Sequence, residues 1–303
     1  WKNSRWIGLD GPMPWDVEKA HARLSARYYR NEFNCAKPVR QALVHISGLG
    51  LYELWINGGR IGNHVMTPAP TDYRRSILYN SYDVTSSLQQ GQNALGVIVG
   101  NGRYYAMRQN YKPYKWANFG YPKLRMILNI EYEDGTRQTI GSNERWMMTA
   151  DGPIISNNEF DGEEYDARKE FPGWTEVGFK TGRNWFPAQR VTIPTAVIRA
   201  QPNPEMKVSD VFHPQSITKI NKNTYILDMG QNMTGWIRMK VKGNAGQEVK
   251  LRFAEILQED GSLSMANLRD ALVTDKYILK GDPQGEEWAP IFTTHGFRYV
   301  ELT

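Results

Sequence analysis

The stretch from residue 43 to residue 104 constrains the fold most strongly, because its side chains alternate as strands do and its turns are spelled out. In residues 51–56, Tyr, Leu and Ile alternate with Glu and Trp, which is the period of a half-buried strand. Asn57 and Gly58 follow directly and favour the positive φ angles of a tight hairpin. Asp83 is a good N-cap for a single helical turn. The stretch therefore predicts antiparallel strands that present loops.

The chain divides near residue 200, where Gln201–Pro204 forms a proline-punctuated linker. Beyond it, residues 237–242 and 249–253 alternate between apolar and basic side chains, as strands of a second sandwich would. Few helical patterns of useful length occur in either part. We therefore predict an all-β protein with two antiparallel β-sandwich, jelly-roll-like domains in tandem, residues 1–199 and residues 200–303.

Further predictions concern single elements. Residues 16–24 have the apolar spacing of a short helix. Residues 26–33 and 142–148 are predicted as strands, and the second of these contains Trp146. The Asp-Gly pair at 134–135 predicts a second tight hairpin.

The basic charge of the chain is dispersed. The net charge is +5 and the isoelectric point is about 9.1, but Lys and Arg are interspersed with Asp and Glu, whereas a nucleic-acid binder shows a basic patch. The densest basic stretch, residues 103–123, is interleaved with Tyr and Trp, a mixture that also fits single-stranded nucleic acid. We interpret it as a long loop over a sheet or at a sugar or domain interface, and we expect no nucleic-acid partner.

Cysteine content and hydropathy exclude further classes. Cys35 is the single cysteine, so a disulfide framework and a cysteine metal site are ruled out. No apolar run is long enough to span a membrane, and no membrane partner is expected. The chain opens at Trp1 without a methionine, which indicates a fragment whose export signal would be missing. We expect a periplasmic or extracellular location, with a cytoplasmic one as the alternative.

Several motifs in combination carry a family resemblance. In the first half they are GLYELWINGGRIG, TDYRRSILYNSYDVTSSL, GQNALGVIVGNGRYY and DGEEYDAR; in the second half they are ILDMGQNMTGW, NLRDALVTDKYILKGD and HGFRYVEL. The chain resembles, over nearly its whole length, the N-terminal β-sandwich domains of bacterial α-L-rhamnosidases, the inverting glycoside hydrolases of family 78. The second half resembles the concanavalin-like sandwich that leads into their catalytic barrel.

The resemblance implies that the chemistry lies elsewhere. Inverting glycoside hydrolysis needs two carboxylates roughly 6.5–9.5 Å apart, and in this family they sit on an (α/α)6 barrel that follows the second sandwich. We therefore predict no catalytic residue here, although Asp161, Glu163, Glu164 and Asp166 form a dense acidic segment. The expected function is that of a non-catalytic part that supports the barrel, its own C-terminal catalytic domain. The alternatives are a stand-alone carbohydrate-binding module and a scaffold protein.

Some α-L-rhamnosidases carry a rhamnose-binding, calcium-assisted sandwich of this class. The resemblance therefore makes a rhamnose-containing carbohydrate an expected partner and calcium the one cofactor under consideration, because calcium takes about six to eight oxygen ligands. The candidate binding residues, each with a structural role as its alternative, lie near loops of the first domain: Glu53, Asn57, Asp72, Tyr73, Asn101 and Tyr104.

A contact surface for the barrel is also expected. Glu164, Tyr165, Asp166 and Arg168 are the candidates for it, and the alternative is a loop satisfied by local hydrogen bonds. The face that meets the barrel is expected to expose apolar surface beyond that of an ordinary monomer. The candidates for this apolar surface are Phe292, Phe297 and Tyr299.

Overall fold

The computed structural model describes residues 1–16, 24–105, 119–195, 197–269 and 271–303. In chain order the strands are β1 (Ile7–Gly8), β2 (Arg27–Cys35), β3 (Val39–Leu49), β4 (Leu51–Ile56), β5 (Gly59–Arg60), β6 (Ile77–Asp83), β7 (Gly91–Gly100), β8 (Lys123–Tyr132), β9 (Arg137–Gly141), β10 (Met147–Thr149), β11 (Ile154–Asn158), β12 (Gly162–Asp166), β13 (Phe186–Pro187), β14 (Gln189–Arg190), β15 (Ile198–Ala200), β16 (Ser216–Lys219), β17 (Tyr225–Gly235), β18 (Met239–Val241), β19 (Glu248–Ala254), β20 (Thr274–Ile278), β21 (Glu286–Trp288) and β22 (His295–Leu302). Single 3-10 turns occur at Thr85–Ser87, Ala167–Lys169 and Ala266–Leu268.

Two sheets form the first sandwich. One has the strand order β14-β1-β8-β3-β6-β15, with β9 also paired to β8, and the other has the order β13-β10-β2-β7-β4-β5. The alternating strands bury their apolar faces between the sheets, where Val44 of β3 and Met126 of β8 share a core with Leu54 of β4 and Val97 of β7. This confirms the all-β prediction for the first half of the chain.

The second sandwich is built on a seven-stranded sheet of order β11-β12-β20-β19-β22-β17-β16. Its apolar face packs against the two-stranded ribbon β18–β21, so that Met239 and Trp288 of the ribbon share a core with Leu251, Phe253 and Phe297. The described strands of both sandwiches pair antiparallel, apart from the parallel pairs β12–β20 and β15–β6.

The hairpin β11–β12 crosses from one half of the chain to the other. It precedes residue 199, yet β12 pairs with β20 in parallel, with Tyr165 opposite Tyr277. Strand β15, at residues 198–200, returns to the first sandwich and pairs with β6. The division of the chain at residue 199 stays a prediction, and the structure adds that one hairpin before it belongs to the second sheet.

The tight turns confirm the sequence predictions. Asn57 and Gly58 have φ angles of 50° and 82° at the β4–β5 hairpin, and Gly135 has a φ of 80° between β8 and β9. The predicted helical turn is present as the 3-10 turn Thr85–Ser87, but its N-cap is Val84 and not Asp83 as predicted. The carboxylate of Asp83 accepts the backbone hydrogen of Thr85 at 2.9 Å.

Two element predictions need comment. The predicted strand at residues 142–148 is too long, because the strand begins at Met147 and the fully buried Trp146 lies in the preceding turn. Residues 17–23 of the predicted helix and residues 106–118 of the loop at 103–123 lie outside the described residues.

The prediction of an apolar surface at Phe292 and Phe297 is wrong. Phe292 is buried where the two sandwiches meet, in a cluster with Tyr28 and Ile98, and a side chain on Gly100 would collide with its ring. The ring of Phe297 packs at 5.0 Å from Phe253 in the second core. Tyr299 is half-buried, since the hairpin around Leu263 covers it. The contact between the two sandwiches buries apolar side chains. The alternation of residues along a single strand does not predict this burial.

Candidate functional site

The two candidate tyrosines lie together but inside the molecule. The rings of Tyr73 and Tyr104 meet edge to face at 5.2 Å, and Phe119 closes the group against both. Both tyrosines are buried, and burial raises the pKa of each hydroxyl. The ammonium of Lys123 lies 5.7 Å from the centre of the Tyr104 ring, where it stabilises the aromatic group as a cation–π contact.

Each of the other candidates is engaged by hydrogen-bond partners of its own. Glu53 is buried and accepts from Arg60 at 2.8 Å, and burial raises the pKa of its carboxyl group. Asn57 shapes its hairpin by accepting the backbone hydrogen of Ala94 at 2.8 Å. Asp72 is exposed and accepts from Arg74 at 3.0 Å, a hydrogen bond that lowers the pKa of the carboxyl group.

Asn101 is also buried, and its backbone N–H donates to the side-chain oxygen of Asn157 at 2.7 Å. The six candidates thus do not form one open cleft, and four of them have little contact with solvent. Sugar binding by these residues stays a prediction.

A calcium site does not fit these candidates. Calcium needs about six to eight oxygens that converge on one point, whereas the oxygen of Glu53 faces Arg60 and that of Asp72 faces Arg74. Among the described residues, no group of three or more His, Cys, Asp or Glu side chains is arranged to hold a metal ion.

The candidate barrel contacts follow the crossing hairpin. The carboxylate of Asp166 accepts from Arg168 at 2.8 Å through two guanidinium nitrogens, and this pairing holds the pKa of Asp166 below its usual range. Tyr165 stacks on Tyr277 at 5.6 Å and donates to Glu170 at 3.0 Å. These contacts are local, as the alternative reading of the loop proposed, while the guanidinium side chain of Arg168 remains half exposed.

Glu164, the remaining candidate of this group, lies 3.8 Å from Lys276 on the neighbouring strand β20. This ion pair bridges the crossing hairpin to the second sheet. The four residues therefore lie on one hairpin and the turn that follows it, and this hairpin is part of the second sandwich. A contact with a further domain stays a prediction for them.

A buried acidic cluster beside this hairpin was not predicted as a unit. One carboxylate oxygen of Glu163 accepts the backbone hydrogens of Ile291 and Phe292 at 3.2 and 3.1 Å. Asp275 accepts the backbone hydrogen of Glu163 at 3.0 Å, and it lies 3.1 Å from the imidazole of His295. Burial raises the pKa of Glu163 to about 8. Glu163 and Asp275 are buried, so neither carboxylate is open to a sugar in the solvent.

The linker after the first sandwich is held by a second polar cluster. The hydroxyl of Tyr82 donates to Glu205 at 2.5 Å and lies 3.0 Å from the hydroxyl of Tyr52. The imidazole of His64 stacks on the Tyr82 ring at 4.8 Å, and burial lowers the pKa of this histidine. Glu205, which was not among the predicted site residues, is therefore one of the residues that fix the linker to the first sandwich.

Comparison with protein families identifies both halves. Residues 37–210 match the α-L-rhamnosidase N-terminal domain, and residues 218–303 match the bacterial α-L-rhamnosidase concanavalin-like domain. The chain belongs to the α-L-rhamnosidase family. This confirms the family resemblance inferred from the motifs.

Curated α-L-rhamnosidases are similar along the whole chain. One from Streptomyces avermitilis is 40% identical over 307 residues, which cover 100% of this chain and 29% of that protein. One from Formosa agariphila is 36% identical over 287 residues, which cover 92% of this chain and 30% of that protein. The chain thus spans about a third of the length of these α-L-rhamnosidases.

Solved α-L-rhamnosidases share the fold. The structure from Dictyoglumus thermophilum has a TM-score of 0.90 at 38% identity, and the one from Aspergillus terreus has 0.91 at 35%. Each match covers 100% of this chain and 34% of the other. The Streptomyces avermitilis enzyme, solved in complex with L-rhamnose, has a TM-score of 0.86 at 40% identity and is covered over 27% of its length, against 93% of this chain.

The α-L-rhamnosidase motifs explain which residues the sequence reading missed. Asp275 lies in the motif NLRDALVTDKYILKGD, and His295 begins HGFRYVEL, where a core or interface histidine is the expected role. The sequence gives little signal for the burial of Asp275, because its strand Thr274–Ile278 also contains Thr274 and Lys276. Within the described residues, no helix is long and apolar enough to cross a membrane.

Proposed function

We propose that these residues are the non-catalytic N-terminal part of an α-L-rhamnosidase, the glycoside hydrolase that releases terminal α-L-rhamnose from glycosides and polysaccharides with inversion. One observation carries the proposal: the match to α-L-rhamnosidases runs through the whole of this chain and through only about a third of theirs. The chemistry then belongs to the part of the enzyme outside the matched third, an (α/α)6 barrel, and the two sandwiches support it.

The placement of the acidic residues supports this division of labour. An inverting pair has to hold a sugar and a water molecule between two carboxylates roughly 6.5–9.5 Å apart. Glu163 and Asp275 are sealed inside the second sandwich, and Glu53 is buried against Arg60. Asp166 is committed to Arg168. None of these four acids faces a space that admits a sugar.

The proposed substrate of the whole enzyme is a rhamnose-containing carbohydrate, and the proposed location is periplasmic or extracellular. An assay with an aryl α-L-rhamnoside tests the proposal. The 303-residue chain is expected to give no turnover, and the longer enzyme that contains it is expected to hydrolyse the substrate. Turnover by the 303-residue chain alone would overturn the assignment of catalysis to another part.

Calorimetry separates the proposal from a stand-alone carbohydrate-binding module. If the chain only supports the barrel, titration of L-rhamnose into the 303-residue chain at millimolar concentration gives no heat, with or without calcium. Saturable heat that is lost in the Glu53→Gln and Asp72→Asn variants would favour the binding module. The Asp134→Asn variant is the control, because Asp134 lies at an exposed hairpin far along the chain from the six candidates.

A further inference from the structure

Exposed apolar side chains concentrate in one short stretch of the described chain. Between residues 206 and 220, six large apolar side chains are 46–65% exposed: Met206, Val208, Val211, Phe212, Ile217 and Ile220. We call this set the 206–220 strip. The other large apolar side chains that are exposed, such as Val177 and Ile256, are scattered along the described residues. Scattered exposure is ordinary for a soluble domain, whereas a contiguous patch marks an interaction site.

The strip is held in place at both of its ends. On one side, the carbonyl of Met206 accepts the backbone hydrogen of Val65 at 2.8 Å, next to the contact between Glu205 and Tyr82. On the other side, the backbone hydrogen of Gln215 is donated to the carbonyl of Asp228 at 2.8 Å, just before β16 pairs with β17. A segment anchored in this way presents its apolar side chains in a fixed arrangement, which lowers the entropy lost when a partner binds.

Ile217 shows that the strip extends the apolar face of the seven-stranded sheet. It is paired with Leu227 across β16 and β17, and residues directly paired share one face of a sheet. Leu227 is buried in the second core, whereas Ile217 is 63% exposed. The apolar face of the seven-stranded sheet therefore runs on past the ribbon β18–β21 that covers its centre. The other exposed apolar side chains of the strip lie in the segment just before β16 and directly after it.

We propose that the 206–220 strip is the surface on which the remaining part of the α-L-rhamnosidase docks, an inference that rests on the proposed function. The occupant is an apolar surface of the same enzyme, because the strip from Val208 to Phe212 carries a single charged residue, Asp210. The relatives supply the necessary length, since the match covers only 34% of the Dictyoglumus thermophilum and Aspergillus terreus chains.

Proteolysis tests the proposal directly. Lys207 and Lys219 lie between the apolar residues of the strip in sequence, and Lys222 lies just after them. Cleavage by trypsin therefore reports how accessible the strip is. We expect cleavage at these lysines to be at least about ten-fold slower in the longer enzyme than in the 303-residue chain, because a docked segment is cut only after it opens. Equal cleavage rates in the two proteins would overturn the proposal.

Paired variants add a second readout. The variant Phe212→Ser with Ile217→Ser is expected to lower the Tm of the longer enzyme by several degrees, while the control Val177→Ser with Ile256→Ser leaves it unchanged. In the 303-residue chain both variants are expected to melt at the wild-type temperature, since all four side chains are exposed there. An equal effect of the two variants on the longer enzyme would contradict docking at the strip.

Sedimentation identifies a different occupant. If the 303-residue chain is a dimer that the Phe212→Ser, Ile217→Ser variant dissociates, the strip binds a second copy and the proposal is wrong. Turnover of an aryl rhamnoside by the longer enzyme tests the proposed function separately. An active enzyme with an unprotected strip refutes only the docking surface, whereas an inactive enzyme refutes the function.

Discussion

The carboxylate of Glu163 accepts the backbone hydrogen of Phe292 at 3.1 Å, which joins the first half of the chain to the second through a buried acid. Phe292 in turn packs where the two sandwiches meet, beside Gly100. The second carboxylate oxygen of Glu163 is buried without a hydrogen-bond acceptor or donor among the described residues. An ionised carboxylate is costly in such a place, so the acid is neutral at pH 7.

Stability is therefore expected to fall as the pH rises toward 8. The pKa of Glu163 is about 8 in the folded chain against an ordinary value of 4.5, so its contribution is complete below pH 4.5 and is lost as the pH passes through 8. The Glu163→Gln variant keeps the acceptor oxygen and cannot ionise. Its Tm should decline less than that of the wild type between pH 5 and pH 9. The Glu164→Gln variant is the control, and parallel curves for Glu163→Gln and wild type would contradict the prediction.

Gly162 is expected to tolerate no side chain. It begins β12 with a φ of 116°, and a Cβ there would overlap the carbonyl oxygen of Thr274 on the way into β20. Gly162→Ala should cost more than about 3 kcal/mol in urea unfolding or prevent folding. Gly135→Ala, at a positive φ with open space around it, should cost only about 1 kcal/mol. Equal losses would show that the crossing hairpin does not approach β20 this closely.

The pair Asp166 and Arg168 separates local support from a contact with another domain. In the 303-residue chain, Asp166→Ala should cost about 1–2 kcal/mol and Arg168→Ala should cost less, since Arg168 is half exposed. The double variant should cost less than the sum of the two single variants, because the two side chains bond each other. If the residues also contact the barrel, the longer enzyme will lose more stability or show a raised KM. Identical effects in both proteins would leave the pair with a local role alone.

Tyr82 is expected to control release of the linker. Tyr82→Phe removes the hydrogen bond to Glu205 and the contact with the Tyr52 hydroxyl, which should cost about 1 kcal/mol. Trypsin should then cut after Lys207 faster than in the wild type. Tyr79→Phe is the matched control, because Tyr79 lies on the same strand and meets Trp1 through its ring at 5.3 Å. Equal cleavage in the two variants would contradict the role of Glu205.

Local features of the fold were predictable because each depends on neighbouring residues. The turn at Asn57 and Gly58 needs positive φ angles, and asparagine and glycine are the residue types that favour such angles. The alternation in residues 249–253 marks a strand with one buried face, and Leu251 and Phe253 are indeed in the second core. Fold class followed from these repeated local signals.

Long-range pairings and burial were not predictable in the same way. Nothing near Tyr165 indicates that its strand pairs with Tyr277, more than a hundred residues later. Tyr73 and Tyr104 were predicted to be surface residues near loops, but their rings pack against each other and against Phe119. Exposed apolar side chains occur at Val211 and Ile217 rather than at Phe292.

The route of the chain decides how this protein can be dissected. A cut at residue 200 would produce a C-terminal piece that lacks β11 and β12, two of the seven strands in its main sheet. Strand β20 would become an unpaired edge strand, and Tyr277 would lose the ring of Tyr165 that covers it. Such a piece would be prone to self-association. Expression boundaries, domain swaps and chimaeras therefore have to carry residues 154–303 together, and the remaining N-terminal piece would in turn forfeit β13, β14 and β15.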